Sequence, residues 1–109
     1  MKILIKEDRL QTLINTILDE TFGDLYETKD YITDYRGEHH WVIRYSKDGQ
    51  VVMLYLSQGK LYVAEEMVSK LNMFGFERST KDWRVKKWFE STYELPVKGV
   101  EFGSKSEMN

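Results

Sequence analysis

The chain has 109 residues, and its 16 Lys and Arg set against 18 Asp and Glu leave a formal net charge of −2. A chain of this length hides roughly two-thirds of its unfolded surface on folding, enough for one core without a metal or a disulfide to hold it. The balanced charge gives no global attraction to nucleic acid or an anionic membrane, and the absence of cysteine removes disulfides, thiolate nucleophiles and cysteine metal sites together.

Met1–Ile5 is far too short an apolar run for a signal peptide, and no stretch approaches the eighteen or so apolar residues of a membrane span. The expectation is a cytoplasmic protein without a membrane partner. Residues 1–6 alternate Lys2, Leu4 and Lys6 against Ile3 and Ile5, as a short strand or a lead-in. From Glu7 to Phe22, Leu10, Leu13, Ile14, Ile17, Leu18 and Thr21 recur at helical spacing, with Glu7 and Asp8 in the first turn and Gly23 placed to stop the helix. Asp24–Lys29 reads as loop. Tyr31–Arg36 reads as a first strand joined to His39 by a tight turn at Gly37-Glu38. Two registers are open, one placing Ile32 and the other Tyr31 opposite Ile43.

The segment His39–Leu56, HHWVIRYSKDGQVVMLYL, is the most strongly specified. Two runs of β-favouring residues flank Asp48-Gly49, the pair suited to a two-residue turn with φ > 0 at both positions. That turn pairs Tyr45 with Val52, Ile43 with Leu54 and Trp41 with Leu56, giving one apolar face, while Met53 and Tyr55 fall on the other. A longer loop would shift the register by one residue and scatter the apolar side chains.

After Leu56, Ser57–Lys60 is a turn and Leu61–Val63 a short fourth strand. A helix then runs from about Ala64 to Phe74 on the stripe Ala64, Met67, Val68, Leu71 and Phe74, ending at Gly75 with Phe76 against Leu71. Ser79 is the N-cap of another helix, whose buried stripe is Val85, Trp88, Phe89 and Thr92. Pro96 follows it, and Leu95–Phe102 is compatible with a final edge strand. Strands and helices are segregated, which predicts an α+β domain over residues 1–103. Its antiparallel meander sheet of three to four strands has an N-terminal helix and two C-terminal helices packed on one face. Residues 104–109 are expected to be a disordered polar tail.

The two histidines, His39 and His40, are neighbours on a strand and point to opposite faces, so no metal site is expected there. No cysteine nucleophile, GxSxG elbow, phosphate loop or HExxH helix is present, and Glu65 and Glu66 diverge around their helix, so neither enzymatic activity nor a cofactor is expected. Tyr31, Tyr35, Tyr55 and Val42 near Arg44 suggest a base-stacking face, although half-solvated strands favour tyrosine anyway. Trp83 stands out because it lies about 160° around its helix from Val85, at 100° per residue. Its structural reading is a ring folded back onto the preceding helix or stacked on Lys87. Its functional reading is an exposed aromatic ringed by Arg78, Lys86 and Lys87.

The opening MKILIKEDRLQTLINTIL and the closing KKWFESTYELPVKGVEF, together about a third of the chain, resemble segments of small uncharacterised accessory proteins of tailed bacteriophages. The resemblance implies an accessory protein that acts by binding in the host cell, and it transfers no site residue. The expected function is therefore non-enzymatic binding of a protein partner, or self-association, through Trp83, Arg78, Lys86 and Lys87. The alternative is weak single-stranded nucleic-acid binding by the basic C-terminal helix and the sheet tyrosines.

Overall fold

The computed structural model describes residues 7–74 and 78–108. Helix α1 (Glu7–Thr21) is followed by strands β1 (Tyr26–Thr33), β2 (His39–Lys47), β3 (Gln50–Leu56) and β4 (Lys60–Ala64). A 3₁₀ helix (Glu65–Phe74), α2 (Arg78–Tyr93), β5 (Gly99–Gly103) and a single turn, α3 (Lys105–Met108), complete the order. The fold is α+β, as the segregation of elements predicts. Among the described residues the sheet has five strands in chain order, against an expected three to four. The first four form an antiparallel meander, whereas β5 joins β4 in parallel because the 3₁₀ helix and α2 return the chain across the sheet.

The central hairpin closes on the predicted two-residue turn. Asp48 and Gly49 take φ of 54° and 80°, with Lys47 opposite Gln50 and Ser46 opposite Val51. A bulge then intervenes between Tyr45 and Ser46, leaving Val52 as the extra residue. Beyond it Tyr45 faces Met53 and Ile43 faces Tyr55, which overturns the expected pairs Tyr45–Val52, Ile43–Leu54 and Trp41–Leu56. The bulge lets two consecutive side chains, Val52 and Met53, both enter the core. It also turns Tyr55 inward, where its hydroxyl donates to the Pro96 carbonyl at 2.6 Å. Leu54 and Leu56 pass to the second face of the sheet.

Strand β1 starts earlier than the sequence suggests, taking in much of the stretch read as loop and ending before the stretch read as a tight turn. Its register, Tyr31 opposite Trp41 and Thr33 opposite His39, matches neither alternative. The cause is Asp34, whose Oδ1 accepts the main-chain N–H of Arg36 (2.9 Å) and of Glu38 (3.0 Å), while its own N–H donates to the Glu38 carbonyl. This side-chain-closed loop over residues 34–38 replaces the tight turn at Gly37-Glu38.

The core lies between the first sheet face and α1, the 3₁₀ helix and α2. From α1 it takes Ile14, Leu18 and Phe22, with Leu10 and Ile17 partly buried and Leu13 exposed. The left-handed residue after α1 is Asp24, not Gly23, and Lys47 Nζ caps the Thr21 carbonyl at 2.9 Å. In the 3₁₀ helix Val68 and Leu71 turn inward three residues apart, the period of that helix. The expected stop at Gly75 and Phe76 lies outside the described residues, as does the alternating segment 1–6. Helix α2 begins at Arg78, so Ser79 sits within its first turn instead of capping it. Val85, Trp88 and Phe89 are buried as predicted, but Thr92 is exposed, and Tyr93 packs on Tyr45 and Phe89 in its stead. Trp88 also donates its indole N–H to Asp19 Oδ1 at 2.8 Å, tying α2 to α1.

Where the sequence suggests a disordered tail, α3 folds back over the second sheet face, and Lys105 donates its main-chain N–H to Glu66 Oε2 at 2.9 Å. Glu107 and Gly103 there border a cleft of about 230 Å³ floored by Leu54 and Tyr62. No described helix is long and apolar enough to cross a membrane.

Candidate functional site

Trp83 sits on the outer side of α2. The buried stripe of this helix recurs at Lys81, Arg84, Val85 and Trp88, and Trp83 falls between its turns with 42% of its surface exposed. That is enough for the indole to meet a partner while its inner edge stays packed. The Arg84 guanidinium lies 4.5 Å from the ring centroid and the Lys87 ammonium 5.8 Å. Both readings of this tryptophan thus have a counterpart in the structure. It stacks with Lys87 one turn on, and it also presents an indole to solvent beside cations.

Lys87 is exposed and Lys86 half-buried on the same helix. Arg78 opens the helix, and its side chain lies outside the described ones. Sequence reasoning missed Arg84, the cation nearest the ring. Adjacent residues on a helix do not ordinarily face one another, so spacing argued against it. The guanidinium comes under the ring because it is drawn inward, 3% exposed, and donates to Gln11 Oε1 at 2.9 Å. Gln11 in turn donates to the Arg84 carbonyl at 3.3 Å. A second inward cation, Lys81, reaches Asn72 Oδ1 at 3.3 Å and lies 4.9 Å from the Phe102 ring.

The histidines diverge as strand alternation requires. His39 Nδ1 lies 3.1 Å from Thr33 Oγ1, while His40 Nε2 lies 2.9 Å from Asp34 Oδ2 and 3.9 Å from Glu38 Oε2. Asp34, Glu38 and His40 bring their donor atoms within 4.8 Å of one another, a set that could hold a divalent cation. The spacing Asp-x₃-Glu-x-His is the available signal, hidden because Gly37-Glu38 reads as a tight turn. The same atoms also serve one another. The His40 hydrogen bond holds the Asp34 carboxyl below its ordinary range, and the main-chain donors of Glu38 and Arg36 add to it.

The base-stacking face does not assemble as expected. Tyr55 and Val42 are buried, while Tyr31 and Tyr35 are exposed, with Tyr35 on the loop closed by Asp34. Arg44 pairs with Asp30 across β1 and β2. Three core tyrosines, Tyr45, Tyr55 and Tyr93, have their hydroxyl pKa raised above the ordinary 10, in each case chiefly by burial. No family model, curated protein or solved structure matches this chain.

Proposed function

We propose that this chain is a small non-enzymatic accessory protein, of the kind tailed phages encode, that works in the host cytoplasm by binding another protein. The observation that carries the reading is the half-exposed Trp83 indole with Lys87 beside it on the outer side of α2. A rigid aromatic flanked by cations is where interface energy concentrates, and Lys86 adds positive charge on the same helix. The helix beneath is fixed by Trp88 and Arg84, so the indole is presented with little entropy left to lose on binding.

The test is a capture experiment from the source-cell lysate with wild-type protein and Trp83→Ala, each at low and high salt. A protein captured by the wild type at both salt concentrations and lost with Trp83→Ala supports the reading. The variant's stability should stay within about 1 kcal/mol of wild type, the scale of a surface cation–π contact. Capture of single-stranded nucleic acid that falls steeply as salt rises would replace it with the nucleic-acid reading, because phosphate contacts release counterions.

A further inference from the structure

Among the described residues strand β1 is an open edge eight residues long, and it is the most exposed strand of the sheet, with Tyr26, Tyr31 and Ile32 all facing solvent. The Asp34 N–H donates to the Glu38 carbonyl and the Ser57 N–H to the Trp41 carbonyl. With the strand registers, these two bonds fix which main-chain groups face which neighbour. Even-numbered residues of β1 bond to β2. Glu27, Lys29, Tyr31 and Thr33 turn their N–H and C=O groups to the open edge, a template for another strand.

We propose that a second copy of this chain occupies that edge, pairing β1 with β1 antiparallel about a two-fold axis at Thr28. Such an axis, perpendicular to the sheet, keeps each side chain on its own face, so the residue on the axis meets itself and its neighbours meet each other in turn. An axis at Glu27, Lys29 or Asp30 sets like charges face to face. An axis at Ile32 sets Asp30 against Asp34, and one at Tyr31 leaves Lys29 and Asp30 opposite uncharged residues. At Thr28, Glu27 of each copy lies opposite Lys29 of the other, on both sides of the axis, and these are the residues whose main-chain groups face outward. Charges on an edge strand normally discourage pairing. Here their order penalises the registers about Glu27, Lys29, Asp30 and Ile32 and favours the one about Thr28. The two five-stranded sheets then run on as a single sheet. This surface is separate from Trp83, so either proposal can fail without the other.

Sedimentation equilibrium of the wild type should give a dimer. Glu27→Lys and Lys29→Glu, each replacing two opposite-charge pairs with two like-charge pairs, should each weaken dimerisation at least about tenfold. The double variant, which restores opposite charges in reversed order, should recover it. Because the chain has no cysteine, Thr28→Cys gives an unambiguous cross-link test. The two Cα atoms in a directly opposed, non-hydrogen-bonded pair lie about 4.5 Å apart, within disulfide range. Mild oxidation should link Thr28→Cys and leave Asp30→Cys unlinked. A wild type that stays monomeric at every concentration overturns the proposal. So does a double variant no better than the single ones while all are folded by circular dichroism, or equal linking at both cysteine positions.

Discussion

Tyr45 and Tyr55 sit on neighbouring central strands with hydroxyls in different circumstances, and removing each hydroxyl separates a made hydrogen bond from an unmade one. The Tyr55 hydroxyl donates to the Pro96 carbonyl at 2.6 Å. The Tyr45 hydroxyl is buried without a partner among the described residues. Tyr55→Phe deletes a donor and leaves an acceptor to be resolvated, a loss of about 1–2 kcal/mol. Tyr45→Phe deletes a group already deprived of water. Its removal relieves part of a desolvation cost of about 1–3 kcal/mol against a small loss of packing, so the variant should be neutral to about 1 kcal/mol more stable. With a urea slope of about 2 kcal/mol per molar, Tyr55→Phe should lower the unfolding midpoint by roughly 0.5–1 M, and Tyr45→Phe should leave it in place or raise it. Equal losses in the two variants would refute the reasoning, because the Tyr45 hydroxyl would then have to be bonded.

Ile43→Ala and Leu71→Ala empty packed aliphatic sites on the sheet and the 3₁₀ helix, both in the core, and each should cost about 2–5 kcal/mol in a thermal or urea melt. The raised hydroxyl pKa of Tyr45, Tyr55 and Tyr93 keeps these groups neutral in the fold, whereas in the unfolded chain they ionise near 10. The unfolded state therefore releases protons first, and urea midpoints should hold below about pH 10 and fall above it. Asp34 shifts the opposite way, so its contribution is present above the ordinary carboxylate range and is lost as the pH drops through its lowered value. Asp34→Ala should speed amide exchange at Arg36 and Glu38, which lose their acceptor, and leave exchange in the core unchanged.

The α+β class, the Asp48-Gly49 turn and the inward faces of α1 and α2 were legible because each rests on a local pattern. Helical spacing places Ile14, Leu18, Val85, Trp88 and Phe89, and φ > 0 at two positions singles out Asp-Gly. The register of β3 was not legible. Val51–Leu56 is apolar at every position, so alternation carries no information, and the choice of Tyr55 over Leu54 is made by a hydroxyl finding the distant Pro96 carbonyl. The start of β1 was hidden for a related reason, since Glu27 and Lys29 read as loop by composition while their pairing with β2 supplies the strand. At the candidate site, Trp83 was visible as an aromatic off the buried stripe. Arg84 was not, because its place under the ring depends on Gln11 of a different helix.

The parallel strand β5 has a consequence for the order in which the molecule assembles. Strands β1 to β4 each pair with the next in sequence, so the meander can form through short loop closures. β5 has no such route. Its seat beside β4 is defined only when the 3₁₀ helix and α2 have docked, and the Lys98 N–H then bonds the Gly59 carbonyl at 2.7 Å. Gly59 there has φ of 94°, and a Cβ on it would lie 3.0 Å from the Lys98 side chain. The last, long-range event in folding is thus the arrival of β5. Val100→Ala in β5 should chiefly hasten unfolding and hardly slow folding, the mark of a contact made after the rate-limiting barrier.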